Sequence, residues 1–410
     1  MSNAFRELLK KVGSGVHTGK DLTRSEAAAA TRMMLLQEAT PAQIGAFMIA
    51  HRIKRPTSEE VAGMLDAYDE LGPKLQLKGL GTGNWGLGTG QYFSTTPSFS
   101  QSRSDVRRSL SRAADAHGGS LIPNAQSRER SDSLTQPVMV FGIPYDGRSR
   151  TAPVTPLTAL LLTTVGVPVV MHGGDCMPTK YGIPLIEIWQ GLGVDFSKLT
   201  LTQVEQLLQT TGLGFVYLPQ HFTQAQGLVP YRDQIGKRPP AATMELIWCP
   251  YVGDTHIVAG YVHPPTESRF METFELRGVA NFTLVKGLEG SCDLPRDRTA
   301  IIAFSQSSSS STFERLLLHP RDYGFAGMEV PLDSATQLLA QMQDVLNGKS
   351  SELMPAAIWN GGFYLWRCGI CSDLPTGFTK AEALFTSGKV AQKLEEISQA
   401  IASMQLAHQP

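Results

Sequence analysis

The sequence predicts an α/β protein: a small N-terminal all-helical domain followed by a larger α/β domain with a mainly parallel sheet. Residues 1–75 carry helical signals alone. From residue 137 to residue 410, β-branched strand segments alternate with apolar helical segments, which is typical of parallel βαβ units. A polar, glycine-rich stretch over residues 76–136 separates the two domains.

The composition is that of an ordinary globular protein with room for two domains. The chain has 410 residues, of which 42% are hydrophobic and 18% charged. Its net charge of -1 excludes a global electrostatic attraction to nucleic acid, although a local basic patch stays open. It contains no apolar run of about 18 residues and no signal-peptide core, and five cysteines fit a reducing compartment. These features predict a cytoplasmic protein with no membrane partner.

Threonine caps define the predicted helices of the N-terminal domain. Thr23 is followed three residues later by Glu26, which is a capping-box pattern. The predicted helices run from Arg24 to Gln37, from Thr40-Pro41 to His51, and from the cap at Thr57 onward. Because so small a unit cannot bury all of its apolar faces alone, we expect these helices to pair two chains into a homodimer.

The stretch over residues 76–136 has no sustained apolar periodicity. It contains a doubled GLGTG and is rich in Ser, Arg, Gln and Asn. Seven basic and four acidic residues give it a charge of +3, and only Ser104–Ala114 resembles a short helix. We therefore expect an exposed, low-complexity and largely disordered insertion.

The α/β domain shows its elements as short β-branched segments and longer apolar helical ones. The predicted strands are Val138–Phe141, Val167–Met171, Gly214–Leu218, His256–Gly260 and Ala280–Lys286. The predicted helices are Leu157–Val165, Ile183–Leu192, Thr202–Thr210, Met271–Gly278, Ser334–Asn347, Met354–Gly369 and Thr379–Ser403.

Two polar loops follow the first two predicted strands. One begins at Gly142 and is rich in Gly, Pro and Arg, and the other is His172–Asp175. The carboxyl ends of parallel strands meet at one edge of a sheet, where backbone N–H groups and helix N-termini can face a phosphate. The two loops therefore predict an anion site at this edge.

Three separate blocks resemble the anthranilate phosphoribosyltransferase family, in that family's order. LTRSEAAAATRMMLLQEATPAQIGAFMIAHRIKRPTSEEVAGM is similar to its helical domain, LGVDFSKLTLTQVEQLLQTTGLGFVYLPQHFTQAQGLVPYRDQIGKR to its central segment, and NGKSSELMPAAIWNGGFYLWRCG to its final helices. The resemblance covers residues 5–75 and 138–405. It implies the glycosyltransferase family 3 fold, with a helical domain that dimerises and an active site in the cleft between the domains.

The resemblance places the family's phosphate loops on residues that depart from its pattern. Gly142–Asp146 stand where the family has GTGGD, and Pro144 offers no N–H there. In the second loop, approximately KHGNR in the family, Met171 and Asp175 replace the lysine and the arginine. Arginine side chains after the first loop are suited to phosphate instead. The candidate ligand-binding residues are Asp146, Gly147, Arg148, Arg150, His172, Gly173, Lys180, Arg232 and Arg238.

The family's magnesium site is an adjacent Asp-Glu pair, which corresponds to Cys292 and Asp293 in this sequence. A thiol is a poor ligand for Mg²⁺, so one carboxylate of the pair remains. Glu289 lies four residues earlier. The resemblance therefore implies a weakened Mg²⁺ site at Asp293 and Glu289, and it implies no organic cofactor.

These changes indicate a divergent branch of the family. We expect a pentosyl transferase fold that is not an efficient anthranilate transferase and that binds a phosphate-bearing ligand in the interdomain cleft. Any remaining catalysis would be phosphoribosyl transfer. Two alternatives stay open: a non-catalytic homodimer that binds single-stranded nucleic acid, and a regulatory or structural dimer whose insertion binds a partner.

Overall fold

The computed structural model describes residues 3–15, 17–77, 136–142, 147–305 and 313–406. Nearly all of the predicted insertion, including Ser104–Ala114, lies outside these described residues. Asp146, the first of the candidate ligand-binding residues, lies outside them as well.

Four helices form the N-terminal domain. They are α1 (Asn3–Gly13), α2 (Arg24–Leu35), α3 (Pro41–Lys54) and α4 (Ser58–Leu71). Helices α2, α3 and α4 each begin with a complete capping box, in which a threonine hydroxyl and the side chain three residues later satisfy each other's backbone N–H groups. Gly63 of α4 lies so close to α2 that an added Cβ would stand 2.0 Å from the carbonyl oxygen of Arg24. The two helices therefore pack backbone against backbone.

The α/β domain covers much of the apolar surface of this helical domain. The Tyr68 ring on α4 packs with its edge against Phe222 at 5.2 Å and Trp248 at 5.9 Å between ring centroids. Among the described residues of the helical domain, the exposed large hydrophobic side chains are Leu36 and Ile53. Because most apolar faces are already buried within one chain, the hydrophobic driving force for the predicted homodimer is smaller than expected. The homodimer stays a prediction.

The described residues of the α/β domain form one sheet of seven strands. They are β1 (Val138–Gly142), β2 (Val169–Gly173), β3 (Leu213–Tyr217), β4 (Thr255–Gly260), β5 (Phe282–Val285), β6 (Ala300–Ser305) and β7 (Phe313–Leu318). The strand order is β3-β2-β1-β4-β5-β6-β7, and β1 to β5 pair in parallel. Strands β6 and β7, which were not predicted, pair antiparallel. The prediction of an α/β fold with a mainly parallel sheet is confirmed.

Twelve further helices surround the sheet in the described residues. They are α5 (Thr155–Thr164), α6 (Leu185–Gly191), α7 (Leu201–Thr211), α8 (Leu218–His221), α9 (Thr223–Gln226), α10 (Val229–Ile235), α11 (Ala241–Met244), α12 (Pro264–Arg277), α13 (Ala335–Leu346), α14 (Met354–Arg367), α15 (Leu374–Thr386) and α16 (Lys389–Leu406). Helix α5 is buried almost all round and packs on α14 and α16. No helix within the described ranges combines the length and apolarity needed to cross a bilayer.

The prediction of one helix over Thr379–Ser403 is wrong. The chain forms α15 and α16 instead, with a break at Ser387 and Gly388. Gly388 has a φ of +74°, a left-handed conformation that glycine adopts without steric cost and that ends a helix.

Candidate ligand-binding site

The loops that follow β1 and β2 cross at two glycines. A Cβ on Gly147 would stand 2.4 Å from the carbonyl carbon of Gly182, and a Cβ on Gly182 would stand 2.2 Å from the carbonyl oxygen of Gly147. Next to the crossing, the N–H of Ile183 donates to the carbonyl of Arg148 at 3.0 Å. Only glycine allows this approach, and the crossing fixes where the Arg148 side chain enters the site.

Arg148 is buried and has all five of its N–H donors in use. Nη1 donates to Ser291 Oγ at 2.9 Å and to Asp293 Oδ2 at 2.7 Å. Nε and Nη2 donate to the carbonyl and hydroxyl oxygens of Thr151 and to the carbonyl of Ala152. Since a guanidinium has five such donors, Arg148 offers no further hydrogen bond to a ligand in this arrangement.

Asp293 is 1% exposed, and each of its carboxylate oxygens is bound within the chain. Oδ2 accepts from Arg148 and from the N–H of Val154 at 3.0 Å, and Oδ1 accepts from the hydroxyl of Thr155 at 2.7 Å. The buried negative charge is thus paired and fully hydrogen-bonded, which is the condition under which a buried ion pair is tolerated.

Glu289 binds the chain as an anion would bind a phosphate loop. Its carboxylate accepts from the successive backbone N–H groups of Ser149, Arg150 and Thr151, at 2.9 to 3.3 Å, and from two hydroxyls of the same segment. Burial alone would raise the pKa of Glu289, but the bonds from Thr151 and the charge of Arg148 outweigh it and lower that pKa to about 2. A concave row of amides that suits an anion is therefore occupied by the chain's own carboxylate.

These residues do not fit a magnesium ion in this arrangement. The Cys292 thiol lies in the core, with Sγ 3.5 Å from the Val258 carbonyl, and burial raises its pKa well above the usual range. Asp293 and Glu289 would each have to give up their present partners to bind a cation. Among the described residues, no group of three or more His, Cys, Asp or Glu side chains is placed to hold a metal.

His172 and Gly173 end β2 inside the core. His172 is fully buried and packs against Trp248 with 5.0 Å between ring centroids. Neither ring nitrogen has a hydrogen-bond partner of good geometry among the described residues, and burial lowers the pKa of His172 to about 3. This histidine is therefore neutral at physiological pH.

Arg232, on α10 of the α/β domain, lies where that domain packs against the helical domain. It is 1% exposed and forms a double ion pair with Glu245, whose Oε1 also accepts a 2.7 Å hydrogen bond from Tyr68 of α4. Because it bonds a buried carboxylate on the domain interface, Arg232 holds the helical domain against the α/β domain.

A cavity of about 290 Å³ lies at the same edge of the sheet. Arg52 from the helical domain and Arg238 from the α/β domain both line it, together with His263, Glu289 and the end of β1. The Arg52 guanidinium donates to the carbonyl of Arg238, which ties the two cavity walls together. We call this space the cleft cavity.

The predicted site residues divide into three groups. Arg148, Arg150 and Lys180 come together around Glu289: the backbone N–H of Arg150 donates to its carboxylate, and the Lys180 ammonium donates to its backbone carbonyl at 3.2 Å. The Arg150 side chain is 78% exposed and lies 3.5 Å from the same carboxylate. Arg238 lines the cleft cavity, whereas Arg232 and His172 are buried structural residues. Arg52 was missed, because nothing in a surface helix shows which arginine faces a cleft.

Comparison with known protein families defines the class of this two-domain protein. The sequence matches the family pattern for the glycosyl transferase family helical bundle domain over residues 6–72 and the pattern for the a/b domain of that family over residues 146–391. The chain belongs to this glycosyl transferase family.

Relatives named as anthranilate phosphoribosyltransferases align with most of the chain. That of Rhodopseudomonas palustris is 24% identical over 398 residues, which is 96% of this chain and 97% of the relative. That of Chromobacterium violaceum is 26% identical over 61% of this chain and 72% of the relative. An uncharacterized protein of Aquifex aeolicus is 23% identical over 88% of this chain and 93% of its own.

Solved structures share the fold at lower identity. The anthranilate phosphoribosyltransferase of Saccharomyces cerevisiae in complex with PRPP and Mg has a TM-score of 0.73 at 14% identity, with 98% of this chain and 99% of that chain covered. The Thermus thermophilus enzyme has a TM-score of 0.68 at 17% identity, with 98% and 100% covered. The predicted family resemblance and fold are confirmed.

Proposed function

We propose that this protein keeps the fold and the cleft of its family without being an efficient anthranilate transferase. One observation carries the proposal: Arg148 pairs with both Asp293 and Glu289, and the other hydrogen bonds of these two carboxylates come from the chain's own N–H and hydroxyl groups. An enzyme that holds a metal diphosphate needs free carboxylates and free N–H donors at the reacting group. Here those groups are bound to each other, and the cost of separating a buried ion pair opposes any ligand that would displace them.

We propose that the ligand is a phosphate-bearing small molecule bound in the cleft cavity. Arg52 and Arg238 present guanidinium groups from the two domains to one space, which suits the forked recognition of a phosphate. Arg150 and Lys180 add positive charge beside Glu289. This ligand would bind without a metal, because the arginines supply the counter-charge.

A cytoplasmic location and a homodimer through the N-terminal helices are proposals. The Saccharomyces cerevisiae enzyme is in complex with PRPP and Mg, whereas the ligand proposed for this chain binds without the metal.

Calorimetry on the full chain tests the ligand proposal. Titration with phosphoribosyl diphosphate or a sugar phosphate, without metal, should show saturable binding that the Arg52→Ala, Arg238→Ala double variant weakens roughly tenfold or more, since each charge-assisted bond is worth about 1.5–3 kcal/mol. Arg321→Ala, an exposed arginine paired with its neighbour Asp322, is the matched control. An unchanged affinity in the double variant would sink the site assignment. Tight binding of single-stranded oligonucleotides alone would favour the nucleic-acid alternative.

A further inference from the structure

A second and larger cavity, of about 790 Å³, lies beside the cleft cavity. It opens between the first turns of α4 and α12, so both domains contribute to its walls. Four basic side chains line it: Arg55, Arg269, Lys286 and Arg315. We call this space the basic cavity. The two cavities share the side chain of Tyr261 and otherwise have separate linings.

Three of these four cations have no direct bonding partner in the described part of the chain, although the Glu272 and Glu60 carboxylates lie near Arg269. Among the described residues, the side chains of Arg55, Arg269 and Lys286 have no hydrogen-bond acceptor and no ion-pair partner. Burial and the nearby charge of Arg55 lower the pKa of the half-buried Arg269, and the Glu272 and Glu60 carboxylates offset only part of this effect. Like charges brought together on a concave surface repel one another, so their arrangement is unfavourable without an anion between them.

Arg148 and the cations of the basic cavity differ in whether their N–H donors are already bonded within the chain. Arg148 has used every donor within the chain, whereas Arg269 and Lys286 keep all of theirs. Phosphate is commonly bound by charged N–H donors that line one space and have no partner within the protein. The basic cavity therefore offers unused phosphate-binding donors in addition to those of the cleft cavity.

The two carboxylates of the basic cavity leave it with a net positive charge. Glu267 is 3% exposed and accepts from Arg315 at 2.9 Å, and Glu272 accepts from Ser58. Four cations against two anions leave a charge of +2. An entering ligand therefore needs at least two negative charges for balance.

Glu267 indicates that the ligand is organic. Its Oε2 is paired with Arg315, but its buried Oε1 has no hydrogen-bond partner of good geometry among the described residues. The Tyr261 phenol lies within hydrogen-bonding reach of the Glu267 carboxylate, and burial and this carboxylate raise the pKa of Tyr261. A ligand hydroxyl or amine would give this buried oxygen a well-aligned donor, which the Tyr261 phenol does not.

We propose that the basic cavity is a second ligand site, distinct from the cleft cavity, for a small molecule that carries a diphosphate or two phosphates and a hydroxyl or amino group. Arg269 and Lys286 bind the phosphate oxygens, and Arg55 approaches them from the helical domain. Glu267 accepts a hydrogen bond from the organic part. The positive end of α12, a helix of 14 residues, faces the same space and adds to the attraction.

Calorimetry with two probes tests this assignment on the full chain without metal. The probes are inorganic pyrophosphate and a nucleoside diphosphate. Wild-type protein should bind both, the nucleoside diphosphate more tightly, and Arg269→Ala with Lys286→Ala should weaken both roughly tenfold or more. The variant should keep or raise the melting temperature of the unliganded protein, because it removes repelling charges. Glu267→Gln should reduce the preference for the nucleoside diphosphate over pyrophosphate.

Arg238→Ala, which alters the cleft cavity alone, separates this site from the proposed function. It should leave intact the part of the binding that Arg269→Ala with Lys286→Ala removes. Arg321→Ala, which lies outside both cavities, should leave both probes bound as in the wild type. A loss of binding in Arg238→Ala with none in the Arg269, Lys286 variant would overturn the second site. The same holds if pyrophosphate and the nucleoside diphosphate fail to bind at millimolar concentration, or if only single-stranded nucleic acid binds.

Discussion

Nη1 of Arg148 lies 2.7 Å from Oδ2 of Asp293, and both side chains are almost fully buried. The guanidinium supplies the positive charge that this carboxylate requires, so the charge of the loop is balanced from within the chain. Arg148 comes from the loop after β1 and Asp293 from the segment after β5, on opposite sides of β4. Their bond therefore fixes two loops of the sheet edge to each other as well as balancing a charge.

We expect Arg148→Ala to destabilise the protein strongly. Loss of the guanidinium leaves a buried Asp293 charge unpaired, which costs about 3–5 kcal/mol in comparable cases. Urea unfolding gives the free energy of unfolding. Arg150→Ala, whose side chain is 78% exposed, is the control and should change stability by less than about 1 kcal/mol. Similar losses in the two variants would show that Arg148 is not a structural residue.

A double-variant cycle isolates the pair. Arg148→Met combined with Asp293→Asn removes both charges, so the double variant should be more stable than Arg148→Met alone. Strict additivity of the two changes would contradict the pairing, because residues that share a bond couple in such a cycle.

We expect Glu289 to contribute stability that is lost in acid. Its pKa in the folded protein is about 2, below the value of about 4.3 for an unfolded glutamate. The unfolded chain therefore binds more protons between these values, and the contribution, fully present above about pH 4.3, falls as the pH drops toward 2. Urea unfolding at pH 7 and pH 3 measures it. The loss on acidification should be smaller in Glu289→Gln than in the wild type.

Protonation of other carboxylates also lowers the stability of the protein in acid. The loss in free energy of unfolding between pH 7 and pH 3 is therefore compared between variants. Glu60 and Asp195 have pKa values lowered to about 2 as well, and both remain in Glu289→Gln. The exposed Glu352 provides the control, since Glu352→Gln should retain the wild-type loss. An identical loss in Glu289→Gln would argue against the amide contacts of this carboxylate.

We expect Gly147→Ala to disrupt the loop crossing. Its Cβ would stand 2.4 Å from backbone atoms of Gly182, which cannot rotate aside as a side chain could. A loss of more than about 2 kcal/mol in the free energy of unfolding fits such a clash. Gly45→Ala is the matched control: Gly45 lies inside α3 with only Ile235 nearby, so alanine there should stabilise the helix by about 0.5–1 kcal/mol. A tolerated Gly147→Ala would show that the loops can separate.

Structural features set by residues close together in the sequence could be predicted, whereas those set by distant residues could not. Thr23 and Glu26 act within one helical turn, so the capping box was predicted and is confirmed. Strand β7 was missed because it is the exposed edge strand, and its residues Glu314 and Arg315 break the apolar pattern. Strand β6 is a short apolar run, which periodicity alone does not distinguish from buried helix.

The sequence identified the residues of the candidate ligand-binding site but not the hydrogen bonds and ion pairs between them. Arg148 and Asp293 were both singled out, one for phosphate and one for metal, although they bond each other across 145 positions of sequence. Such a pairing depends on the strand order, which places the ends of β1 and β5 on either side of β4. Glu289, whose carboxylate accepts from the successive amides of residues 149–151, has a positive φ of 54°. No local sequence pattern predicts this backbone conformation.

We expect purified protein to form phosphoribosyl anthranilate very slowly or not at all, even with Mg²⁺. Both oxygens of Asp293 already accept hydrogen bonds, Glu289 is held by three successive amides, and Cys292 lies in the core. Pro144 also brings no N–H to the first loop. The decrease of anthranilate fluorescence with phosphoribosyl diphosphate and Mg²⁺ measures the rate, with an active family enzyme assayed in parallel. Calorimetric titration with Mg²⁺ alone should show no saturable site, and metal-dependent turnover comparable to that enzyme would refute the proposed loss of activity.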